Sequence, residues 1–264
     1  MKPFIKWAGG KRWLASDPSF TLPDFSGRYI EPFLGGAAVF FHIQPSNALL
    51  SDVNPRLIET YLCIRDCWPQ VLQELKRMQR LHNKAFYYEE RSRKRQKPHT
   101  RAAQFLYLNR TCYNGLYREN LKGEFNVPIG TKDKVIFADE DFYEISKVLQ
   151  NADIRTSDFD KTIAEAGKGD LVFADPPYTT AHNMNGFIKY NQNIFSWQDQ
   201  VRLRDALFAA ASRGARVVLT NADHESIKEL YDLPDAYRPI GRTSVMAGKS
   251  TFRNRTTEAV YMIG

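Results

Sequence analysis

Four consecutive residues, Asp175-Pro176-Pro177-Tyr178, have the groups that a particular kind of binding chemistry needs. The Asp175 carboxylate and the Pro176 carbonyl can accept hydrogen bonds from an amino group, and the Tyr178 ring can stack on a planar ring. The motif therefore predicts a site for a planar amino-heterocycle. A polar turn with a buried tyrosine is the alternative that the motif alone leaves open.

The segment before this motif is predicted to be the strand that positions it. Residues Leu171–Ala174 are apolar and are bounded by Gly169 and the two prolines, which is typical of a short buried strand. Because proline cannot continue a central strand, Asp175 is expected at the strand's carboxyl end. Open α/β sheets bind their ligands at that edge.

A second pattern near the N-terminus predicts a nucleoside-binding unit. Residues 29–41 suggest a strand, a turn at Gly35 and Gly36 and the start of a helix, and Ala48–Asp52 suggests a strand that ends in an acid. Glycines let the backbone approach a ligand, and Asp52 can accept hydrogen bonds from ribose hydroxyls. A capping role for Asp52 at the next helix is the alternative.

The chain has 264 residues and a net charge of +7, and the excess lies in one segment. Residues 76–101 contain ten Lys and Arg against two Glu, a balance of +8, which leaves the remaining chain at about −1 (7 − 8). This block predicts contact with a polyanion, namely nucleic acid, and Arg93, Lys94 and Arg95 are expected to contact phosphates. A solvated helix face is the alternative.

The remaining patterns predict an α/β fold that carries an insert. Residues 56–110 have apolar positions at helical spacing and no convincing strand, which predicts a mostly helical insert between two parts of one sheet. The Asn-, Gly- and Tyr-rich residues 109–130 suggest loops and a hairpin. Residues 257–262 suggest a closing edge strand, and the preceding residues 242–255 suggest a loop that becomes ordered on nucleic acid.

Composition narrows the protein class. There is no apolar run of membrane-spanning length and no start that resembles a signal peptide, so we expect no membrane association. The three cysteines have no metal-type spacing, and we expect free thiols, no metal and a reducing, cytoplasmic compartment. A monomer is the default expectation.

Four blocks of sequence resemble one enzyme family. FIKWAGGK (4–11), EPFLGGAAVFF (31–41), NRTCYNGLYRENLKGEFNVPIG (109–130) and ADPPY (174–178) occur in the order found in Dam-type DNA adenine-N6 methyltransferases, the D12 class of the alpha group. The resemblance extends from about residue 3 to the C-terminus. It implies a Rossmann-like S-adenosylmethionine-dependent sheet in residues 1–55 and 136–264. It also implies that residues 56–135 form a helical target-recognition and DNA-binding insert.

The resemblance also implies roles for individual residues. The catalytic positions it matches are Asp175, Pro176 and Tyr178. The cofactor positions are Trp7, Lys11, Phe33, Gly35, Asp52 and Asp175. The positions that read bases in members specific for GATC are Lys6, Leu116, Arg118 and Pro128, and those near backbone phosphates are Tyr113 and Asn114. The family often has another glycine where this chain has Ala37 or Ala38, and residues 242–255 depart from the Ser-Asn-Gly type of its close relatives.

The implied reaction moves a methyl group to N6 of an adenine flipped out of duplex DNA, with GATC as the expected site. Phe187, Tyr190 and Phe195 are expected either to wall the base pocket or to pack in the core, and His182 is expected to be a loop residue. Cytosine N4, RNA adenine and a glutamine amide remain possible acceptors, although Asp175 favours adenine. A catalytically silent nucleic-acid-binding relative and a nicotinamide dehydrogenase also stay open as interpretations. The pattern does not decide whether a cognate endonuclease exists.

Overall fold

The computed structural model describes residues 1–120, 123–181, 195–243 and 255–264. Its strands are β1 (Tyr29–Glu31), β2 (Ala48–Asp52), β3 (Ala152–Thr156), β4 (Leu171–Ala174), β5 (Arg216–Ala222), β6 (Tyr237–Thr243) and β7 (Arg255–Ile263). Its helices are α1 (Arg12–Ala15), α2 (Ala38–Ile43), α3 (Pro55–Leu81), α4 (Lys84–Ser92), α5 (Pro98–Thr111), α6 (Phe142–Leu149), α7 (Phe159–Ala164), α8 (Trp197–Ser212) and α9 (Glu225–Tyr231). The fold is therefore α/β, as the sequence predicts.

The strands form one mixed sheet in the order β3-β2-β1-β4-β5-β7-β6. β1, β4 and β5 run parallel to one another, as do β2 and β3, whereas β7 is antiparallel to both β5 and β6. All four residues of β4 are buried, as expected for a parallel strand covered on both faces. Asp175 follows β4 directly, so its predicted place at a carboxyl end is confirmed.

The predicted closing edge strand is wrong in its position. β7 contains residues 257–262, but it lies between β5 and β6, and β6 forms the edge. Pro239 lies inside β6, where an edge is the position that tolerates a residue without an N–H group. Residues 242, 243 and 255 of the predicted loop 242–255 belong to β6 and β7, and residues 244–254 lie outside the described residues.

Helices fill the predicted insert. α3, α4 and α5 cover most of residues 56–110, and α3 is kinked at Cys67, two residues before Pro69. α8 begins with a full capping box between Ser196 and Asp199. In the part of the chain that the structure describes, no helix is both long and apolar enough to cross a membrane.

The chain forms two compact units. The first contains Met1–Thr21 and Leu34–Thr156, and the second contains Leu22–Phe33 and Ser157–Gly264. The predicted recognition insert, residues 56–135, lies wholly within the first unit, where α3 also packs against β2 and β3. The insert as a separate domain therefore stays a prediction.

Candidate functional site

The DPPY motif is held from the neighbouring strand through Thr220. β4 and β5 pair in register with Ala174 opposite Leu219, so the next residues along each strand, Asp175 and Thr220, are also neighbours. The buried Thr220 hydroxyl donates to the Asp175 Oδ1 atom at 2.7 Å. A charge-assisted bond of this kind restrains the Asp175 carboxylate and leaves lone pairs that can accept from a ligand, because a carboxylate can accept up to about four hydrogen bonds.

The Tyr178 ring is anchored by its hydroxyl. This hydroxyl donates to Glu258 Oε2 at 2.7 Å, and Glu258 is 4% exposed on β7. Burial, and then the charges of Asp175 and Glu258, raise the pKa of Tyr178 well above its usual value. The phenol therefore stays protonated as a donor, and the ring is fixed at one edge by a hydrogen bond.

A second tyrosine–carboxylate pair lies in the same unit. The Tyr29 hydroxyl donates to Glu31 Oε2 at 3.0 Å, and both residues are buried in β1. Burial, Glu31 and then the charge of Asp175 raise the pKa of Tyr29. Each of the two buried glutamates therefore accepts from a tyrosine hydroxyl in the unit that contains the motif.

Aromatic packing surrounds Phe33 in the second unit. Its ring stacks on Phe159 with the centroids 5.3 Å apart and meets the edge of Phe195 at 5.6 Å. Phe195 is 4% exposed, so it packs in the core next to a predicted cofactor residue. The remaining predicted wall residues, Phe187 and Tyr190, and the predicted loop residue His182 lie outside the described residues.

Asp52 holds the glycine turn of the first unit. Its Oδ2 accepts the Gly35 N–H at 3.1 Å, and its Oδ1 accepts the Asn54 N–H at 3.0 Å. The cap of α3 is Asn54, whose Oδ1 accepts from Arg56 and Leu57, so Asp52 is not the helix cap. Burial raises the pKa of the Asp52 carboxyl, and the backbone N–H groups oppose that shift.

The turn itself needs a residue without a side chain at Gly35. Its φ is +45°, and a Cβ built there would come 2.6 Å from Trp7 Cδ1. The Trp7 ring stacks on Tyr117 with the centroids 5.4 Å apart. Ala37 also has a positive φ, +53°, a backbone conformation that glycine adopts with less strain than alanine. Lys11 is buried, and its Nζ donates to the Gly9 carbonyl at 2.9 Å.

The predicted base readers come together in the first unit. The exposed Lys6 donates from Nζ to the Asn114 carbonyl, and the Tyr113 N–H donates to the Pro128 carbonyl at 2.9 Å. Leu116 follows Gly115 in the same loop.

Arg118 stands on the predicted hairpin. Its Nε donates to Asn126 Oδ1 at 2.8 Å, and its carbonyl accepts the Asn126 N–H at 3.1 Å. An isolated antiparallel bridge joins Glu119 and Phe125 beside it. The sequence was therefore right to suggest a hairpin among residues 109–130.

The three basic residues expected to contact phosphates differ in their ion pairing. Arg95 is 15% exposed in its side chain and pairs with Glu90, whose side chain is fully buried. Arg93 pairs with Glu89 and approaches Glu90. Lys94 is exposed and takes part in none of the ion pairs found across the described ranges. Arg95 is thus mainly a structural cation, and Lys94 is the better placed of the two to meet a phosphate.

Thiol and metal chemistry find no support in the described residues. Burial raises the pKa of Cys112 to about 11 and that of Cys63 to about 12, so both thiols are protonated at neutral pH. No group of three or more His, Cys, Asp and Glu side chains within residues 1–120, 123–181, 195–243 and 255–264 could hold a metal ion.

Sequence reasoning missed the two residues that hold the motif. Thr220 lies near the carboxyl end of β5, and a polar residue at that end of a parallel strand was the signal that could have identified it. Glu258 is an acid that directly precedes the apolar residues Ala259–Ile263 of its strand, which was the equivalent signal.

Known proteins similar to this chain agree on one activity. The model of the D12 class N6 adenine-specific DNA methyltransferase family matches residues 7–245. The type II methyltransferase M1.LlaDCHI of Lactococcus lactis subsp. cremoris is 36% identical over 269 residues, which cover 98% of this chain and 94% of that protein. The DNA adenine methylase of Escherichia coli K12 is 34% identical over 269 residues, which cover 100% of this chain and 96% of that protein.

A viral protein is also similar. The DNA N-6-adenine-methyltransferase of Escherichia phage P1 is 36% identical over 234 residues, which cover 87% of this chain and 31% of that protein. The family match implies S-adenosylmethionine as the cofactor and DNA as the substrate. On the family model and on relatives matched along nearly their full length, this chain belongs to the D12 class of N6-adenine-specific DNA methyltransferases.

Proposed function

We propose that the chain transfers a methyl group from S-adenosylmethionine to N6 of a flipped-out adenine in double-stranded DNA, within GATC. The observation that carries the proposal is that hydrogen bonds restrain two side chains of the Asp175–Tyr178 motif. Asp175 is oriented by Thr220, and the Tyr178 ring is anchored by Glu258. A fixed acceptor and a fixed ring suit a planar base that offers an amino group.

The glycine turn and the acid after it suit the cofactor. The turn leaves no room for a side chain at Gly35, and Asp52 provides a carboxylate at the end of β2. We assign Asp52 to the cofactor's hydroxyl groups, and we assign further cofactor contacts to Trp7, Lys11, Phe33 and Gly35. When bound, the cofactor supplies an electrophilic methyl group on a sulfonium.

The protein's task at the amino group is one of orientation and electrostatics. The adenine lone pair is delocalised into the ring, which makes the nitrogen a poor nucleophile. We assign one amino hydrogen to the Asp175 carboxylate and the other to the Pro176 carbonyl, while Tyr178 stacks on the base. These contacts favour a tetrahedral nitrogen and stabilise the positive charge that develops on it. Flipping the base costs a few kcal/mol, and stacking on Tyr178 offsets part of that cost.

We assign base reading to the loop and hairpin of the first unit. Lys6, Leu116, Arg118 and Pro128 would read base edges, with Tyr113 and Asn114 beside the phosphates. Lysine and arginine recognise guanine O6 and N7, which GATC presents on both strands. Lys94 would add a phosphate contact, and we propose that the enzyme acts as a monomer.

The test is to incubate the purified chain with S-adenosylmethionine and unmethylated duplex DNA and to map modified bases. N6-methyladenine confined to GATC would support both the activity and the readers. N6-methyladenine at another sequence would refute the GATC specificity and leave the proposed reaction standing. No adenine methylation with the cofactor demonstrably bound would refute the proposed reaction.

Two further measurements separate binding from chemistry. The Asp175→Ala variant should lose methylation while its DNA affinity stays within about tenfold, and retained turnover would contradict its role. A duplex with 2-aminopurine at the target position should become more fluorescent on binding if the base leaves the stack. An unchanged signal with saturating enzyme would contradict flipping.

A further inference from the structure

A buried amide, Asn109, joins the start of the chain to the recognition loop. It lies in the last turn of α5 and is 1% exposed. Its Oδ1 accepts the Lys6 N–H at 3.0 Å, and its Nδ2 donates to the Lys6 carbonyl at 2.7 Å. The same Nδ2 donates to the Gly115 carbonyl at 3.4 Å. One side chain thus holds both backbone groups of Lys6, 103 residues away in sequence.

The Lys6 side chain is fixed by the same loop. Gly115 has a φ of +65°, and a Cβ built there would lie 2.4 Å from Lys6 Cδ. The lysine stem therefore occupies the space that glycine leaves open, and Nζ donates to the Asn114 carbonyl. The Lys6 backbone is therefore held by Asn109, and its side chain lies against Asn114 and Gly115.

We infer that Asn109 is a positioning residue for sequence specificity, which sets where the Lys6 ammonium meets a base edge. The inference rests on the reader role given to Lys6 under the proposed function. Asn109 is buried and does not itself contact DNA. It acts because an amide matches one donor and one acceptor at once, a pairing that neither an ionised carboxylate nor an apolar residue can reproduce.

The hydrogen bonds of Asn109 to Lys6 and Gly115, here called the Asn109 clamp, do not extend to Arg118. Arg118 is held by Asn126 on the hairpin, through bonds that Asn109 does not share. Loss of the Asn109 clamp should therefore relax discrimination at the base pair read by Lys6 and leave discrimination at the Arg118 base pair unchanged.

The chain offers a matched control on the same helix. Gln104 is 6% exposed, and its Nε2 donates to the Glu90 and Arg93 carbonyls, each at 2.7 Å. Asn109→Asp and Gln104→Glu each turn a buried amide that faces two carbonyls into an acid of the same shape. Both should lose stability, but only Asn109→Asp should alter specificity.

The experiment measures kcat/KM of the full chain on its mapped recognition site and on each single-base-pair variant of that site. Lys6→Ala and Arg118→Ala first identify which base pair each side chain reads. Asn109→Asp should then lose discrimination about tenfold or more at the Lys6 base pair only. Gly115→Ala, which displaces the lysine stem, should give the same pattern and serves if Asn109→Asp does not fold.

The outcomes separate the two proposals. A Lys6→Ala pattern reproduced by Asn109→Asp or Gly115→Ala, with Gln104→Glu like the wild type, supports the positioning role. If Lys6→Ala alters discrimination but Asn109→Asp and Gly115→Ala both keep the wild-type pattern, the positioning role is overturned. The base-reading role of Lys6 then stands. A wild-type pattern in Lys6→Ala overturns the reader role itself, and the positioning role with it.

Discussion

Replacing Thr220 by valine removes the hydroxyl that holds Asp175, at almost constant volume. The bond lost is the 2.7 Å contact from the Thr220 hydroxyl to Asp175 Oδ1, and Thr220 is fully buried. A hydrogen bond to a charged group contributes about 1.5–3 kcal/mol. If the bond serves mainly to orient Asp175 in the transition state, kcat should fall roughly 10- to 150-fold, since about 1.4 kcal/mol corresponds to a factor of ten.

The assay is steady-state methylation of a duplex that carries the mapped site, with kcat and KM determined separately. Thr220→Ser keeps the hydroxyl and should retain most of the activity. Thr60→Val is the matched control, because it removes a 2.8 Å bond from an equally buried threonine to the Arg56 carbonyl on α3. A folded Thr220→Val enzyme with wild-type kcat would refute the reasoning.

Four further changes have defined outcomes. Burial raises the pKa of Asp52, so the affinity for S-adenosylhomocysteine, measured by calorimetry, should weaken as pH falls through that raised pKa. This loss should begin at a higher pH than for an ordinary carboxyl of pKa about 4. Asp52→Asn should abolish the pH dependence, and a pH dependence that persists would show that another group causes it. Arg95→Ala should lower the free energy of unfolding by about 2–4 kcal/mol, because it removes a cation from the buried Glu90; chemical denaturation with an unchanged midpoint would contradict this. Lys94→Ala should leave the free energy of unfolding within about 0.5 kcal/mol of the wild type. It should also reduce the slope of log K against log salt for DNA binding by the contribution of about one phosphate contact. An unchanged slope would exclude Lys94 from the DNA interface. Arg118→Ala should relax discrimination at one guanine by about 1–3 kcal/mol, and an unaltered base preference in competition assays would exclude it as a reader.

The raised pKa of Asp52 also determines how this carboxyl changes the free energy of unfolding with pH. A carboxyl whose folded pKa is raised favours the folded state below the unfolded pKa of about 4, and that contribution is lost as pH rises through the folded value. The ionised Asp52 is therefore a cost to the free protein near neutral pH. Its backbone donors at Gly35 and Asn54 offset part of that cost, and a ligand that donates to the carboxylate would offset more.

Local sequence determined the parts of the site that depend on neighbours along the chain. An apolar run that stops at two prolines sets β4 and the place of Asp175, because proline cannot donate to the strand ladder. The glycine turn and the acid that ends β2 follow in the same way, as does the capped start of α8. β6 was missed because Pro239 and Gly241 are typical of a loop, although an edge strand accepts both.

Tertiary structure alone decided which side chains hold these parts in place. Thr220 and Glu258 reach the motif from 45 and 80 residues away, because β5 lies beside β4 in the sheet and β7 lies beside β5. The charge spacing predicted that the basic block contacts nucleic acid. It could not show that Arg95 forms an ion pair with the buried Glu90. Composition records how many charges a segment has, and only packing determines which of them remain in water, since a buried carboxylate needs a cation beside it.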